Sequence, residues 1–163
     1  MAAYRRRLPH FQSDYRVYFV TLVTRGRCEL PPDARDIVLA EIVAVHERTL
    51  FLHCAVVMPD HVHLVGAPLL DAHGFTIPLF AILKSIKGRS SRFANRRLSR
   101  TGALWLDESF DHQLRNDESL WEKCQYVCDN PVRAGLVGQQ DEYRWIWREW
   151  VEGAGARVET RAT

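Results

Sequence analysis

Hydrophobic and polar positions along the chain follow two repeats, one of about two residues and one of about 3.6 residues. Stretches rich in β-branched and aromatic residues predict strands over residues 16–24, 50–57 and 61–67. Apolar residues at helical spacing predict helices over residues 33–49, from residue 77 onward and over residues 116–130. Strands and helices therefore alternate along the chain.

Prolines, a glycine and a polar residue mark the expected ends of these helices. Pro31 and Pro32 break the chain before the first helix, and Gly88 is expected to interrupt the second. Asn116 is a candidate N-cap of the third helix, which Pro131 ends.

Length and composition predict one compact domain. The chain has 163 residues, of which 47% are hydrophobic and 26% are charged, and this is enough for a single hydrophobic core. We expect one domain over residues 1–151. Residues 152–163, rich in Gly, Ala, Arg and Thr, are expected to form a disordered tail.

The basic residues are clustered although the formal net charge is only +2. One basic run without any acidic residue extends from Lys84 to Arg100, and a second lies near the start of the chain. A charge run is commonly a solvated helix face, but the lack of acidic residues favours contact with phosphate. The candidate DNA-binding residues are Lys84, Lys87, Arg89, Arg92, Arg96, Arg5, Arg6 and Arg7.

The cysteine pattern and the hydropathy exclude secreted and membrane classes. The four cysteines form no C-x-x-C pair, and the basic residues at the start are not followed by the apolar run of a secretory signal. No stretch approaches the roughly 18 consecutive apolar residues of a membrane span. We therefore expect a soluble, cytoplasmic protein with reduced cysteines and no membrane partner.

The sequence His61-Val62-His63 is the strongest chemical signal in the chain. Alternate residues of a strand face the same side, so both imidazoles point into one site while Val62 faces the opposite side. A turn at residues 58–60 places this pair beside a sheet edge or hairpin. Two neutral imidazoles are half of a divalent-metal shell. An isolated H-x-H is more often structural, so the metal-site hypothesis depends on partners elsewhere.

Tyr126 and Asn130 are the candidate partners. The apolar stripe of their predicted helix is formed by Leu120, Cys124, Val127 and Cys128. Tyr126 projects roughly 160° away from that stripe, and Asn130 lies one turn later on the same side. A tyrosine attacks a phosphodiester when a metal polarises the phosphoryl oxygens. His61, His63 and the amide oxygen of Asn130 would form a three-ligand site suited to Mg²⁺ or Mn²⁺.

These residues resemble a known family. The H-x-H pair and the later run Tyr-x-x-x-Asn-Pro-x-Arg-Ala-Gly-Leu-Val, with Trp105, Phe110, Asp111, His112, Leu114 and Arg115 between them, resemble the IS200/IS605-like single-tyrosine HUH transposases. The likeness is greatest to the REP-associated tyrosine transposases, and it covers about residues 15–147.

This resemblance implies a fold, an activity and a set of roles. It implies an α+β fold in which a ferredoxin-like antiparallel sheet is flanked by helices. It assigns His61, His63 and Asn130 to the metal and Tyr126 to nucleophilic attack. Relatives of this kind cleave single-stranded DNA beside a REP-like hairpin, hold the 5′ phosphate as a phosphotyrosine and release a 3′ hydroxyl, as monomers or homodimers.

Several residues and two other functions remain open. Asp111, His112 and Arg115 are supporting candidates at most, because surface acids and hydrogen-bonded structural histidines are common. A catalytically silent hairpin-binding protein is one alternative function. The other is a metallohydrolase that uses the histidine pair with an activated water and does not need Tyr126.

Overall fold

A computed structural model of the protein describes residues 16–115 and 118–153. Its centre is a five-stranded sheet in which every neighbouring pair is antiparallel. The strands are β1 (Tyr18–Val23), β2 (Leu50–Val57), β3 (His61–Pro68), β4 (Phe110–Gln113) and β5 (Ile146–Arg148). Their spatial order is β4-β1-β3-β2-β5.

Four α-helices accompany the sheet in the described residues. They are α1 (Pro32–Val43), α2 (Leu79–Leu98), α3 (Leu120–Cys128) and α4 (Asn130–Arg133). The chain order β1-α1-β2-β3-α2-β4, combined with the spatial order of the first four strands, is the split βαβ arrangement of ferredoxin-like folds. The predicted α+β fold is therefore confirmed. None of the described helices is long and apolar enough to cross a membrane.

The two faces of the sheet carry separate cores. Helices α1 and α2 cover one face, where Val20, Leu22, Val62 and Leu64 are fully buried. Helix α3 covers the other face, where its apolar stripe packs against the sheet. That second core contains Cys54, Val56, Val65, Cys124, Val127 and Cys128, and its three cysteines are free thiols. The two-residue repeat of each strand thus supplies both cores.

The three predicted strands are confirmed, whereas the first helix is shorter than predicted. It ends at Val43 and not at residue 49. Glu47 has a left-handed φ of 61°, and its N–H donates to the carbonyl of Leu50 across a tight turn. The apolar Val45 that extended the helical pattern belongs to this turn, which brings the chain directly into β2.

The predicted interruption near Gly88 is wrong, because α2 continues through it from Leu79 to Leu98. A glycine inside a helix costs only about 1 kcal/mol relative to alanine. Burial of Ile82, Leu83 and Ile86 against the sheet outweighs that cost.

The third helix is also shorter than the predicted range of 116–130. It begins at Leu120, and the hydroxyl of Ser119 caps it by accepting the N–H of Glu122. The predicted cap, Asn116, lies outside the described residues, as do Arg5, Arg6, Arg7 and residues 154–163 of the predicted tail. The helix stops at Cys128, and α4 starts at Asn130.

Candidate active site

His61 and His63 converge on the face of the sheet that α3 covers. Their ring centroids are 4.7 Å apart and their planes are inclined by 71°. Val62, between them, is buried in the core on the other face. The alternation of β3 thus brings the two imidazoles together, as the sequence predicts.

Each imidazole is held at its Nδ1 atom. His63 Nδ1 lies 2.9 Å from the hydroxyl of Thr21, the residue opposite it on β1. His61 Nδ1 lies 2.7 Å from the Oδ1 atom of Asp60. Neither Nε2 atom has a hydrogen-bond partner among the described residues. Donation from each Nδ1–H would fix the tautomer that offers Nε2 as a ligand.

The surroundings of His63 favour its neutral imidazole, and those of Asp60 favour its ionised carboxylate. Burial, aided by the charges of His61 and Arg133, lowers the pKa of His63 to about 4. Burial opposes ionisation of Asp60, but the hydrogen bond and charge of His61 and the charge of Arg27 lower its pKa below the usual value. His63 is therefore unprotonated near neutral pH, as a metal ligand must be.

Tyr126 lies on the same face and is linked to the histidines through Phe19. The Phe19 ring stacks on His63 with centroids 5.2 Å apart, and it meets the Tyr126 ring edge-on at 6.5 Å. Tyr126 is 51% exposed, as its position off the apolar stripe of α3 predicts. Its phenol is open to a substrate.

Two basic residues without a predicted role contact the Tyr126 ring. Arg133 Cζ is 4.1 Å from the ring centroid, and Lys123 Nζ is 5.5 Å from it. Arg133 also donates a 2.9 Å hydrogen bond from Nη1 to the carbonyl oxygen of Tyr126. Lys123 stands three residues before the tyrosine on the same helix, and this spacing is the signal by which the sequence could have identified it. Arg133 belongs to the next helix, α4, so helical spacing could not have identified it.

Asn130 begins α4, just past the end of the helix that carries Tyr126. It is half-buried, and its side-chain amide has no hydrogen-bond partner in the described part of the chain. Within that same part, no three His, Cys, Asp or Glu side chains come together as a metal centre. A cation at the histidine pair would therefore need further ligands, such as an amide or phosphate oxygen.

The predicted DNA-binding residues of α2 lie on the opposite face of the sheet from the histidines. Lys87 Nζ is bonded to the carbonyls of Leu106 and Asp107, and Arg89 is paired with Glu41 at 2.7 Å. Lys84, Arg92 and Arg96 are exposed and form no ion pair with the described residues. Lys87 and Arg89 are thus engaged in internal contacts, and the DNA-binding role of the basic run stays a prediction.

A cleft of about 670 Å³ lies between α2 and residues 103–109. Lys84, Phe80 and Asp111 are among the residues that line it, and Phe80 is 74% exposed. Asp111 therefore faces the cleft and not the histidine pair. Val20, which is opposite Asp111 on the adjacent strand β1, belongs to the core under α1 and α2.

The other two supporting candidates lie at the edge of the histidine face. His112 is in register with Phe19, and its Nε2 atom is 3.1 Å from the carboxylate of Glu118. The backbone N–H of Arg115 donates to the same carboxylate. The His112 side chain and the Arg115 backbone thus take part in a local hydrogen-bonded turn with Glu118, and the supporting role of both residues stays a prediction.

Comparisons with known proteins give likeness in structure only. No protein-family model and no curated protein matches the chain. A solved structure of a REP-associated tyrosine transposase bound to a REP hairpin superposes with a TM-score of 0.63 and 19% identity, over 85% of this chain and 82% of that chain. A structure from Deinococcus radiodurans described as a "putative transposase" gives a TM-score of 0.49 and 18% identity, over 75% of this chain and 95% of the other. The first comparison establishes that this protein has the fold of a REP-associated tyrosine transposase.

Proposed function

We propose that the protein is a metal-dependent enzyme that nicks single-stranded DNA beside hairpins and transfers the cleaved strand, with Tyr126 as its nucleophile. The observation that carries the proposal is the convergence of two oriented imidazoles with an exposed tyrosine on one face of the sheet. The shared fold supports it, because the similar solved structure is a transposase bound to a REP hairpin. The fold alone does not decide function, so the residues of the site carry the argument.

His61, His63 and Asn130 would hold Mg²⁺ or Mn²⁺. Both histidines have Nδ1 engaged and Nε2 open, and the Asn130 amide is unengaged. A bound divalent ion would supply Lewis-acid polarisation of the phosphoryl oxygens. Thr21 and Asp60 hold the two imidazoles in the orientation that ligation needs.

The chemistry proposed for Tyr126 is a balanced exchange of one phosphodiester for another. The phenol oxygen bonds to phosphorus as the bond from phosphorus to the 3′ oxygen of the preceding nucleotide breaks. The phenol gives up its proton, and the released 3′ oxygen gains one. Attack by a second 3′ hydroxyl reverses the step and joins the strands, so no ATP is needed. Lys123 places positive charge beside the ring, where the phosphate would lie.

The hairpin would contact the exposed cations of α2. Lys84, Arg92 and Arg96 have no ion-pair partner among the described residues, so their charge is available to phosphates. The cleft beside Lys84 adds an exposed aromatic ring, that of Phe80. DNA bound there would reach Tyr126 by passing around an edge of the sheet.

The test is covalent capture of the DNA. Labelled single-stranded DNA that carries an imperfect hairpin from the genomic flanks of the gene is incubated with the protein and Mn²⁺ or Mg²⁺. We expect a denaturant-resistant protein–DNA adduct that disappears with a chelator and in Tyr126→Phe. The matched control is Tyr18→Phe, which removes the hydroxyl of a half-buried tyrosine packed against the other core and should leave the adduct unchanged.

Two outcomes would replace the proposal by its alternatives. Hairpin binding without an adduct in the unmodified protein would indicate a catalytically silent binding protein. Cleavage that survives in Tyr126→Phe would indicate a hydrolase that uses the histidine pair and an activated water.

A further inference from the structure

We infer that Arg133 is a positioning residue that holds the backbone and the ring of Tyr126 in the orientation from which its phenol reacts. The inference rests on the proposed role of Tyr126 as the nucleophile. It adds a residue from outside the helix that carries Tyr126.

The Arg133 side chain contacts Tyr126 in two places. Its Nη1 atom donates a 2.9 Å hydrogen bond to the carbonyl oxygen of Tyr126. Its guanidinium carbon lies over the Tyr126 ring, 4.1 Å from the ring centroid. This distance is short enough for a cation–π interaction. One side chain therefore restrains both the main chain and the aromatic ring of the same residue.

Tyr126 lacks other restraints of this kind. Helix α3 ends two residues later, and the N–H of Asp129 bonds to Gln125, which leaves the next carbonyl for the Arg133 side chain. The ring is 51% exposed, and its hydroxyl has no hydrogen-bond partner among the described residues. Its remaining ring contacts are longer, at 5.5 Å to Lys123 Nζ and 6.5 Å to Phe19.

The backbone of Arg133 is itself anchored, and its guanidinium has no ion-pair partner among the described residues. It closes α4, and its N–H bonds to the carbonyl of Asp129 at 2.9 Å. Pro131, with fixed φ, is buried at the start of this short helix. The guanidinium forms no ion pair with a described carboxylate. Because its backbone is anchored, the planar guanidinium of Arg133 is suited to hold the Tyr126 ring in place.

Arginine, and not simply a positive charge, is needed for this task. A guanidinium is planar and can stack on a ring while one of its N–H groups donates sideways. A lysine ammonium is a point charge on a flexible stem and cannot do both at once. Arg133→Lys therefore separates positioning from plain electrostatic binding of phosphate.

The kinetic test compares Arg133→Lys and Arg133→Gln with the unmodified protein. We expect both variants to lower the single-turnover rate of adduct formation at saturating DNA by at least about tenfold, with the Kd for the DNA changed less than about twofold. Arg144→Lys, at a surface arginine paired with Asp36, is the matched control and should retain the full rate. An unchanged rate would overturn the inference. A raised Kd for DNA in Arg133→Gln, together with a near-normal rate and Kd in Arg133→Lys, would also overturn the inference. That result would indicate that the arginine binds phosphate through its charge.

A second measurement needs neither DNA nor activity. Protein labelled with 3-fluorotyrosine is observed by ¹⁹F NMR, and the Tyr126 resonance is assigned by its loss in Tyr126→Phe. We expect Arg133→Lys to shift this resonance while those of Tyr18 and Tyr143 stay in place. An unmoved resonance would overturn the inference. If the unmodified protein gave no adduct, the proposed function would fail, whereas the ¹⁹F result would still decide whether Arg133 holds Tyr126.

Discussion

Different partners hold the two histidines of the candidate site. His61 is next to a carboxylate, Asp60, whereas His63 is next to a neutral hydroxyl, Thr21. Both contacts orient a ring, and a carboxylate additionally makes an imidazole more basic as a ligand. Thr21 stands out less in the sequence, because its role depends on β1 lying opposite β3.

Removing either partner should weaken metal binding without removing a ligand. Outer partners of ligating histidines typically contribute 10–100-fold to metal affinity. We therefore expect Thr21→Val and Asp60→Asn each to raise the Kd for Mn²⁺ by about tenfold. Free Mn²⁺ measured by electron paramagnetic resonance during titration gives these values. Asp107→Asn, at a carboxylate that is 91% exposed, is the control. Equal affinity in all four proteins would contradict a metal site at this pair.

At the scale of single elements, α2 has two kinds of cation. Arg89 and Arg97 are paired with Glu41 and Asp33, both on or beside the neighbouring helix α1. Lys84, Arg92 and Arg96 have no such partner among the described residues. The same run of basic residues thus joins two helices on one side and leaves charge exposed on another.

This division predicts different effects on DNA binding. Glutamine at Lys84, Arg92 and Arg96 together should reduce the slope of log K against log salt by about 2, since each lost phosphate contact changes it by about 0.7–0.9. Fluorescence anisotropy with a labelled hairpin at several salt concentrations measures the slope. Arg89→Gln with Arg97→Gln is the matched control, which should keep the slope. A similar reduction of the slope in the triple variant and in the double variant would contradict the prediction. It would show that paired and unpaired cations of α2 contribute alike.

At the scale of the whole molecule, the sheet separates the two proposed functional surfaces. The cations of α2 lie over one face, and the histidines and Tyr126 lie over the other. Edge strand β4 touches both, because Asp111 lines the cleft beside α2 whereas Phe110 is in register with Thr21 on the histidine face. Phe110 is 58% exposed, so this edge offers an aromatic ring along the path that DNA would take.

The stability of the whole fold should depend on pH through His53. Burial, with the charge of His46, lowers the pKa of His53 from 6.5 to about 4. As the pH falls from 6.5 towards about 4, His53 takes up a proton in the unfolded chain but not in the folded protein. The free energy of unfolding therefore falls, by about 2 kcal/mol between pH 7.5 and pH 5 for this residue.

Urea denaturation in EDTA at the two pH values measures this effect. We expect the decrease in stability to be smaller in His53→Gln by about 2 kcal/mol. His73→Gln, at an exposed position, should show the full decrease. An equal decrease in His53→Gln and the unmodified protein would contradict the assignment.

The sequence by itself determined the features that depend on local periodicity. The alternation of β3 places His61 and His63 on one face, and the helical repeat turns Tyr126 away from the apolar stripe of α3. The three strands and the turn before the histidines follow from the same local patterns, which depend on residues within a few positions of one another. The α+β class was implied by the family resemblance in motif order.

Only the tertiary structure decided which distant residues meet. Thr21 reaches His63 through strand pairing, Arg133 folds back over Tyr126 where two helices meet, and α2 packs on the face opposite the histidines. Gly88 stays helical because the sheet buries the residues around it. The physical reason is that these outcomes are set by contacts between segments far apart in the chain, whose energies no local pattern contains.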